Sequence, residues 1–581
     1  MSFIGELPMN TSNKILRREI AIVLAGDAGQ GLQAIESILT KAFRQEGYNV
    51  FTSQEVMSRV RGGSNSTLLR VSSSPVRAWS ERSDICIVFD EKAIGHLGKR
   101  LDTKTFLLGD GVNGNGNLNI IQIPLASLAT ESGGRILINT VSAGIMWGIL
   151  GGGKETIENV IKQFFGGKTA EIIDMNLAAV SSGMKLGLEL QSSGQVPLQL
   201  TPQGNRRQDL HLTGTEAVAL GVIAGGCNFV SSYPMSPSTG VLTFLAKHGR
   251  DFGIVVEQAE DEISSANMVL GAWYAGARGL ATTSGGGFAL MSEAVSLSGM
   301  TETPMVVMIA QRPGPATGLP TRTEQGDLNL ALYAGHGEFP RVLLAPGNPE
   351  QAFALARDAF QLADSCQVPV LLLTDQYLMD SGYDCNDLVV AETPIKNAIV
   401  ETGPEYRRYA MTESGLSPRG IPGWGQGLVG VDSDEHDEQG HITEDLELRV
   451  RMVDKRLRKM DLLVEKALAP EWIGPADANN LVVCWGSTLE IARESVADLG
   501  IKDLAVLHFQ QVFPLSAKTR EMLCRAGRLI LLEGNATGQF GTLLKQQCGI
   551  DWQHRLLKYN GLQFSIEEVK AALLKIMEKE G

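Results

Sequence analysis

Four polar stretches rich in glycine, proline and serine decide how this chain is organised: SSYPMSPST at residues 231–239, EQAEDE at 257–262, TTSGGG at 282–287 and QRPGPATGLPTR at 311–322. Short apolar runs and longer helical patterns alternate between them, which indicates a parallel sheet with crossover helices. In such a sheet the functional loops gather at the carboxyl ends of the strands. Each stretch follows a predicted strand, so we expect all four to line one crevice.

The whole chain extends this α/β pattern to several open, mostly parallel sheet domains. Its 581 residues are enough for roughly three to five domains. Strand and helix patterns group into residues 1–190, 210–390 and 476–581. Residues 191–209 are rich in Gln, Ser and Pro and are predicted to be a linker. Residues 391–475 are predicted to be an irregular polar insertion that ends in a charged amphipathic helix.

Composition and charge exclude several classes of function. With 43% hydrophobic and 20% charged residues, the chain has the composition of a globular protein. The net charge of −14 argues against a general nucleic-acid or anionic-membrane surface. No apolar run approaches the roughly eighteen residues of a transmembrane helix. The first residues, MSFIGELPMNTSNK, have neither a basic start nor an apolar core, so we predict no secretory signal and a cytoplasmic location.

No metal-ligating residues are predicted in this chain. The seven cysteines show no C-x-x-C or other ligand spacing and are predicted to be buried free thiols. The motif GDG at residues 109–111, followed by 27 residues and Asn139, imitates a magnesium-diphosphate motif. Because a flexible turn follows it and Thr140 replaces a second asparagine, we interpret it as a loop. The acidic run DSDEHDE at residues 432–438 could ligate a cation, but a solvated loop is the simpler interpretation.

A glycine turn near the N-terminus is a candidate for binding a phosphate. Gly26, Gly29 and Gly31 lie in GDAGQG between a predicted strand and a predicted helix, where backbone N–H groups attract anions. Tight strand-to-helix packing explains the turn equally well. RVRGGS at residues 59–64 is a second loop that could bind an anion. A nucleotide-linked dehydrogenase would need an acid about 20 residues downstream, and residues 51–54 contain none.

Side chains that suit catalysis occur in the four stretches. Ser236 stands beside two prolines that fix the backbone and aim its hydroxyl. Arg312 and Arg322 follow an apolar strand and suit bidentate recognition of a carboxylate, although a structural or solvated role is open for each. EGNATGQ at residues 533–539 closes another strand and is a candidate ligand or partner loop.

Acidic side chains cluster where a helix is predicted to begin. Glu257, Glu260, Asp261 and Glu262 are four acids within six residues. Acids near a helix N-terminus are stabilised by the helix dipole, so capping explains two or three of them. It does not require four, which leaves at least one for another function.

The sequence resembles a known family over nearly its whole length. YPMSPST, EQAEDEISSANMVLGA, TTSGGGFALMSE and QRPGPATGLPTRTEQGDL are similar to the alpha chain of 2-oxoacid:ferredoxin oxidoreductases. The leading part, with GDAGQG and RVRGG, resembles the gamma chain of that family fused in front. The segment from TESGLSPRGIPG to VDSDEHDEQGHITED resembles the 2-oxoglutarate-type enzymes. One departure is Ser236, where the family carries threonine, so the hydroxyl is kept and the methyl group is lost.

This resemblance implies an enzyme that uses thiamine diphosphate. Residues 1–190 would be a gamma-type domain, residues 210–390 a thiamine-enzyme pyrimidine-binding domain, and residues 476–581 a transketolase C-terminal-like domain. In such enzymes a glutamate hydrogen-bonds N1′ of the aminopyrimidine and favours its imino tautomer. Glu262 matches that glutamate, and Glu257 is the alternative.

The resemblance also implies the reaction and the other site residues. A 2-oxoacid is decarboxylated oxidatively, coenzyme A takes the acyl group, and ferredoxin takes the electrons. We expect 2-oxoglutarate as substrate, with pyruvate and branched-chain 2-oxoacids as alternatives. The expected catalytic residues are Glu262 and Ser236. The expected substrate-binding residues are Arg312, Arg322, Tyr233 and Thr321, and the expected cofactor-binding residues are Glu262, Glu257, Pro234, Ser284, Gly285, Gly26, Gly29 and Gly31.

A second chain is expected to complete the site. By the resemblance, a beta subunit carries the diphosphate-binding domain with its magnesium ion and the iron–sulfur cluster, in an (alpha-beta)2 heterotetramer that reduces ferredoxin. Neither nucleic acid nor membrane is an expected partner. Two other classes stay open: a nucleotide-linked dehydrogenase, and a non-catalytic scaffold that binds coenzyme A or an acyl group.

Overall fold

The polypeptide divides into two structural units, Met1–Asp209 and Leu210–Gly581. The computed structural model describes residues 15–57, 63–114, 117–203, 207–390 and 395–578. Strands and helices alternate along both units, which confirms the α/β class predicted from the sequence.

The first unit is a mixed sheet with helices. Its strands are β1 (Ile15–Arg17), β2 (Glu19–Asp27), β3 (Asn49–Glu55), β4 (Ser64–Ser72), β5 (Ile85–Val88), β6 (Phe106–Gly109), β7 (Asn119–Gln122) and β8 (Leu198–Leu200). Its α-helices are α1 (Leu32–Gln45), α2 (Glu91–Leu97), α3 (Leu125–Glu131), α4 (Ile138–Ile149), α5 (Lys154–Phe164) and α6 (Ala170–Ser192). Six strands are hydrogen-bonded in the order β7-β6-β5-β2-β4-β3. Only β4 pairs antiparallel within this set, with both β2 and β3.

Strand β8 corrects the expectation that residues 191–209 are only a linker. It pairs in parallel with β1, and its residues Leu198 and Leu200 are 2% and 1% exposed. Two leucines in a segment of Gln, Ser and Pro show no apolar period, so the sequence pattern did not reveal this short strand.

The second unit contains the remaining elements. Its strands are β9 (Leu210–Thr213), β10 (Phe229–Ser232), β11 (Val255–Gln258), β12 (Gly279–Thr283), β13 (Met305–Gln311), β14 (Val342–Leu344), β15 (Pro369–Asp375), β16 (Gly382–Cys385), β17 (Glu471–Ile473), β18 (Asn480–Trp485), β19 (Leu504–Phe509), β20 (Gln511–Phe513), β21 (Arg528–Glu533) and β22 (His554–Leu557). Its α-helices are α7 (Gly214–Ala224), α8 (Thr239–Phe252), α9 (Glu262–Tyr274), α10 (Gly285–Leu290), α11 (Ser292–Thr301), α12 (Leu328–Tyr333), α13 (Pro349–Cys366), α14 (Gln376–Asp380), α15 (Leu446–Glu465), α16 (Leu489–Leu499), α17 (Thr519–Leu523), α18 (Gln539–Cys548) and α19 (Ile566–Glu578).

Two sheets form the framework of this second unit. One has the strand order β11-β10-β12-β13-β15-β14-β20, and the other has the order β17-β19-β18-β21-β22. In the first sheet every pairing is parallel except that of β20 with β14. Because β10, β11, β12 and β13 run in the same direction, the loops that follow them lie at one edge of the sheet.

The helical pattern of residues 288–300 corresponds to two helices in the structure. Helix α10 begins at Gly285 and ends at Leu290, and α11 begins at Ser292. The apolar spacing continues through Met291 between them, so the sequence pattern gave no sign of the break.

Buried ion pairs join helix α15 to the end of helix α11. Glu302, which follows α11, is 1% exposed, and its carboxylate lies 2.7 Å from Lys455 Nζ and 2.5 Å from Lys459 Nζ. Burial alone would raise the pKa of Glu302, but the charges of Lys459, Lys455 and Arg408 outweigh it and hold the pKa far below its ordinary value of 4.5. This side of the amphipathic helix is therefore a buried ionic contact rather than a solvated face.

The acidic run at residues 432–438 is not a simple solvated loop. Glu435 pairs with Arg456, with nitrogen–oxygen distances of 3.0 and 2.9 Å, and also with Arg449. His436 is fully buried, with its ring centroid 3.9 Å from that of Tyr409. The two arginines that pair with Glu435 lie on α15, beyond the range of a local charge pattern.

Replacing Glu302 with glutamine is expected to destabilise the protein by about 3–5 kcal/mol, because two buried lysines lose their counter-charge. Since the pKa of Glu302 is depressed on folding, its stabilisation is present above its ordinary value of 4.5 and is lost as the pH falls below it. Urea unfolding as a function of pH measures both effects. Glu338→Gln, at an exposed acid, is the control, and equal midpoints for the two variants would contradict the prediction.

Candidate functional site

The loops at the carboxyl edge of the parallel sheet touch one another. After β11, the backbone N–H of Ala259 donates to the carbonyl oxygen of Ser232 at the end of β10 (3.1 Å). After β13, Arg312 donates from Nη1 to the carbonyl oxygen of Ser236 (2.7 Å). The stretches that follow β10, β11 and β13 are therefore in direct contact.

Helix α9 separates the four acids into different environments. Asp261 caps the helix, with its Oδ1 accepting the N–H of Ser264 (2.7 Å). Glu262, the first helical residue, is 4% exposed, and its Oε1 has no hydrogen-bond partner among the described residues. Glu257 and Glu260 are exposed. Capping therefore explains one acid, and Glu262 is the buried carboxylate of the group.

The glycines after β12 allow two carboxylates to approach the backbone. A Cβ on Gly287 would come within 2.6 Å of Glu262 Oε1, and a Cβ on Gly285 would overlap the carboxylate of Asp327. Ser284, between β12 and α10, is fully buried, and within the described part of the chain its Oγ has no hydrogen-bond partner. Two acids and a hydroxyl thus converge on the turn at residues 284–287.

The predicted site residues in the segments that follow β10 and β13 differ in exposure. Ser236 is exposed, and Tyr233 is 40% exposed. Half-buried residues of this set are Pro234, Arg312, Thr321 and Arg322. The structure brings Arg312 to the Ser236 loop, whereas Arg322 lies beside Gly561, where an added Cβ would be 3.3 Å from Arg322 Cβ.

Asp327 belongs to the site although the sequence did not single it out. Its backbone N–H donates to Gln311 Oε1 (3.0 Å), and its Oδ2 is buried with no hydrogen-bond partner among the residues described. Burial raises the pKa of Asp327 to about 6, against the opposing charge of Arg312. A single acid in a polar loop carries no signal of its own, and only the fold brings it to Gly285.

The loop at residues 533–539, which we name the clamp loop, binds the chain itself. The backbone N–H of Gln325 donates to the carbonyl oxygen of Gly534 (2.7 Å), and the N–H of Gly534 donates to Gln325 Oε1 (2.8 Å). Asn535 Nδ2 donates to the carbonyl oxygen of Gln325 (2.9 Å). The loop predicted to bind a ligand or partner therefore holds the segment at residues 323–327 that carries Asp327.

The glycine turn of the first unit borders a separate cavity of about 290 Å³. Gly31, which precedes α1, has a φ of 75°, and a Cβ on Gly26 would overlap the Gln30 side chain. Asp27 and Gly29 line the cavity. Backbone geometry here suits a phosphate, while the Asp27 carboxylate opposes one. The anion loop proposed at residues 59–64 falls mostly on residues 59–62, which lie outside the described residues.

The described residues were compared with the requirements for binding a metal ion and for crossing a membrane. No group of three His, Cys, Asp or Glu side chains there is placed to hold a metal ion. None of the described helices combines the length and the apolar character needed to cross a bilayer. Six cysteines are buried free thiols as predicted, whereas Cys524 is exposed.

Comparison with known proteins identifies the family. Residues 21–186 match the family described as pyruvate ferredoxin/flavodoxin oxidoreductase, and residues 220–455 match its thiamine diphosphate-binding family, described as pyruvate flavodoxin/ferredoxin oxidoreductase. The 2-oxoacid:ferredoxin oxidoreductase subunit alpha of a Sulfolobus species is 30% identical over 624 residues, 96% of each chain. This chain belongs to the 2-oxoacid:ferredoxin oxidoreductase alpha subunits. The resemblance of the motifs is confirmed, and the chain is a subunit of a thiamine diphosphate-dependent oxidoreductase.

Two further members of the 2-oxoacid:ferredoxin oxidoreductases are named for 2-oxoglutarate. The 2-oxoglutarate oxidoreductase subunit KorA of Mycobacterium tuberculosis is 29% identical, over 95% of this chain and 90% of its own. The solved structure of 2-oxoglutarate:ferredoxin oxidoreductase from Magnetococcus marinus, with 2-oxoglutarate, coenzyme A and succinyl-CoA bound, matches with a TM-score of 0.88 and 28% identity. That match covers 96% of this chain and 99% of that chain.

Replacing Gln325 with alanine is expected to loosen the segment at residues 323–327, because Gly534 N–H and the carbonyl oxygen of Trp485, which accepts from Gln325 Nε2 (2.7 Å), lose their partner. The local opening free energy should fall by about 1–3 kcal/mol. Hydrogen exchange of this segment measures it. Gln163→Ala, at an exposed glutamine on α5, is the control, and unchanged exchange in Gln325→Ala would refute the clamp.

Proposed function

We propose that this chain is the alpha subunit, with a gamma domain fused in front, of a 2-oxoglutarate:ferredoxin oxidoreductase. The enzyme converts 2-oxoglutarate and coenzyme A into succinyl-CoA and carbon dioxide and reduces ferredoxin, or catalyses the reverse carboxylation. The observation that carries the proposal is the buried carboxylate of Glu262, whose Oε1 lies beside the turn at residues 284–287 and has no hydrogen-bond donor among the described residues. The names of the mycobacterial and Magnetococcus proteins support 2-oxoglutarate as the substrate.

The environment of Glu262 fits the aminopyrimidine of thiamine diphosphate. Burying a carboxylate oxygen without a hydrogen-bond donor costs free energy of folding. A ring nitrogen that shares a proton with this oxygen removes that cost. When bound, thiamine diphosphate supplies the carbon nucleophile and accepts the electrons released on decarboxylation. Glu262 holds the proton at N1′, and Ser284, Gly285 and Pro234 are the neighbouring residues that we assign to cofactor binding. Exposed Glu257 is the weaker candidate.

The substrate carboxylates are assigned to two arginines of the segment between β13 and α12. 2-Oxoglutarate has two carboxylates, and Arg312 and Arg322 can each give one of them a charge-assisted pair of hydrogen bonds. Arg312 also fixes the loop of Ser236 through the carbonyl oxygen of that residue. We assign Ser236 to the reacting end of the substrate because its hydroxyl is exposed at this edge of the sheet. Tyr233 and Thr321 complete the proposed substrate contacts.

A partner subunit is proposed to cover the face beside Glu262. Apolar side chains are exposed there: Ile263 by 50%, Met268 by 39% on the same helix, and Leu290 by 53% on α10. Exposed apolar groups next to a half-formed site are typical of a protein interface. The beta subunit proposed for this face would bring the diphosphate-binding residues with their magnesium ion and the iron–sulfur cluster, in an (alpha-beta)2 assembly that passes electrons to ferredoxin.

The glycine turn of the first unit is proposed to hold a phosphate of coenzyme A. Gly29 and Gly31 line the cavity just ahead of α1, where the helix dipole favours an anion, and Gly26 lies at the end of β2 before them. The cavity at this turn, about 290 Å³, has space for such a group.

The assignment of 2-oxoglutarate as substrate is tested by purifying the chain together with the beta subunit. Viologen reduction by this complex is then measured with a panel of 2-oxoacids plus coenzyme A. We expect kcat/KM for 2-oxoglutarate to exceed that for pyruvate by about 10- to 100-fold, because pyruvate lacks one charge-assisted contact worth about 1.5–3 kcal/mol. Reactions without coenzyme A are the control. A preference for pyruvate would overturn the substrate assignment and leave the reaction class intact.

Replacing Gly287 with alanine tests the role of Glu262 without changing its charge. The added Cβ would come within 2.3 Å of Thr283 Oγ1 and within 2.6 Å of Glu262 Oε1 and so would displace both side chains. We therefore expect loss of bound thiamine diphosphate and about a 100-fold lower kcat. Gly286→Ala is the matched control, because its Cβ would come no closer than 3.8 Å to another group. Cofactor content and rate are measured on the purified complex. Equal cofactor retention in both variants would contradict the role of Glu262.

A further inference from the structure

The segment between β13 and α12 is tied to the rest of the second unit near both of its ends. Near the first end, Arg312 donates from Nη1 to the carbonyl oxygen of Ser236 (2.7 Å). Near the second end, the backbone N–H of Thr323 donates to the carbonyl oxygen of Gly561 (3.1 Å). Gly561 follows β22, which is an edge strand of the C-terminal sheet. The second tie therefore comes from a different sheet than the first.

The turn at residues 559–562, which we name the Gly561 turn, packs against the side chains just before this second tie. A Cβ on Gly561 would lie 3.0 Å from Leu319 Cδ1, and 3.3 and 3.5 Å from Cβ and Cγ of Arg322. Gly561 is buried, although both of its neighbours in the chain are exposed. Its φ of 82° lies in the left-handed region that favours glycine. The bare backbone of Gly561 is thus the surface on which the stem of Arg322 packs.

The Gly561 turn is itself fixed to the C-terminal sheet. Just before the turn, the backbone N–H of Lys558 donates to the carbonyl oxygen of Glu533 at the end of β21 (3.2 Å). Within the turn, the N–H of Leu562 donates to Asn560 Oδ1 (3.1 Å). Phe564, which follows the turn, is buried. The turn therefore presents Gly561 to Arg322 from a fixed base.

The loop at residues 313–322 has a defined shape of its own. The N–H of Leu319 donates to the carbonyl oxygen of Pro313, and the N–H of Arg322 donates to the carbonyl oxygen of Leu319, both at 3.1 Å. These bonds join residues within the loop, so they determine its shape. The contacts with Ser236 and Gly561 help to determine where the loop lies.

We propose that Gly561 is a specificity-determining residue for the second carboxylate of the substrate, because its backbone positions Arg322. This rests on the proposed function, in which Arg322 binds one of two carboxylates. Arg312, which fixes the loop of Ser236, then binds the carboxylate beside the oxo group. A bidentate pair requires one orientation of the guanidinium, and a displacement of about 1 Å can lower a rate about 100-fold. Gly561 acts through Arg322 and is a positioning residue rather than a catalytic one.

The test uses the complex with its partner subunit, loaded with thiamine diphosphate. Gly561→Ala places a methyl group against Leu319 and Arg322, and Leu319→Ala removes the same contact at a side chain that is 49% exposed. Gly549→Ala is the matched control, because its φ is 68° and a Cβ there would meet no described atom within 4 Å. We measure kcat and KM for 2-oxoglutarate and for pyruvate. Titration calorimetry measures the binding of glutarate, a dicarboxylate without the oxo group.

Gly561→Ala is expected to raise KM for 2-oxoglutarate about tenfold and to weaken glutarate binding to the same extent, while kcat/KM for pyruvate stays within about twofold of the wild type. Leu319→Ala should act in the same direction by about threefold, and Gly549→Ala should behave as the wild type. A merely structural role would lower kcat/KM for both substrates alike, and that result overturns the proposal. If Gly561→Ala does not fold, Leu319→Ala decides between the same two outcomes.

A double variant shows whether the effect passes through Arg322. In an Arg322→Ala background, Gly561→Ala should cause no further loss with 2-oxoglutarate, because changes that act through one contact are not additive. A further tenfold loss, flagged as about the size of the single effect, overturns the proposal.

Failure of the proposed function gives a different result. A wild-type complex that prefers pyruvate removes the second carboxylate from the site, and the proposal falls with the substrate assignment. A wild-type complex that prefers 2-oxoglutarate, together with equal losses for both substrates in Gly561→Ala, overturns the role of Gly561 alone.

Discussion

The contact between α9 and the glycine turn after β12 is the constraint on which the candidate site depends. A Cβ on Gly287 would meet Thr283 Oγ1 at 2.3 Å and Glu262 Oε1 at 2.6 Å, so the missing side chain leaves room for the carboxylate. Asp261 caps the helix, and Glu262 is the first residue of α9. The position of the carboxylate therefore depends on one missing methyl group and one cap. A carboxylate buried without a hydrogen-bond donor lowers stability, and the proposed cofactor contact would offset that cost.

The two sheets of the second unit contribute different things to this site. The parallel sheet provides the side chains at the ends of β10 to β13. The other sheet provides no proposed contact with cofactor or substrate, but its clamp loop fixes Gln325 through four hydrogen bonds when Trp485 is included. Arg322 and Asp327 lie on either side of that anchor. The segment at residues 323–327 is thus held by residues that are 160 to 210 positions away in sequence.

The architecture could be predicted from sequence patterns because it is encoded locally. Alternating apolar runs and helical periods predicted the parallel sheet, and glycine-rich stretches marked the ends of its strands. The resemblance to a family then directed attention to Glu262, which the structure shows to be the buried acid of its cluster. Asp327, the ion pairs of Glu302 and Glu435, and the self-binding of the clamp loop escaped prediction. Each of these depends on partners far along the chain, and no local period records which distant charges will meet.

Strand β20 has a consequence for how this protein can be divided. It follows β19 of the C-terminal sheet after a single residue, Gln510, whose carbonyl oxygen accepts the N–H of Ala345 (2.8 Å), and then adds to the parallel sheet at β14. The chain therefore passes directly from one sheet into the other. A gene break ahead of Asn480 would remove the last strand of the parallel sheet and expose the edge of β14. An exposed strand edge tends to pair with strands of other chains.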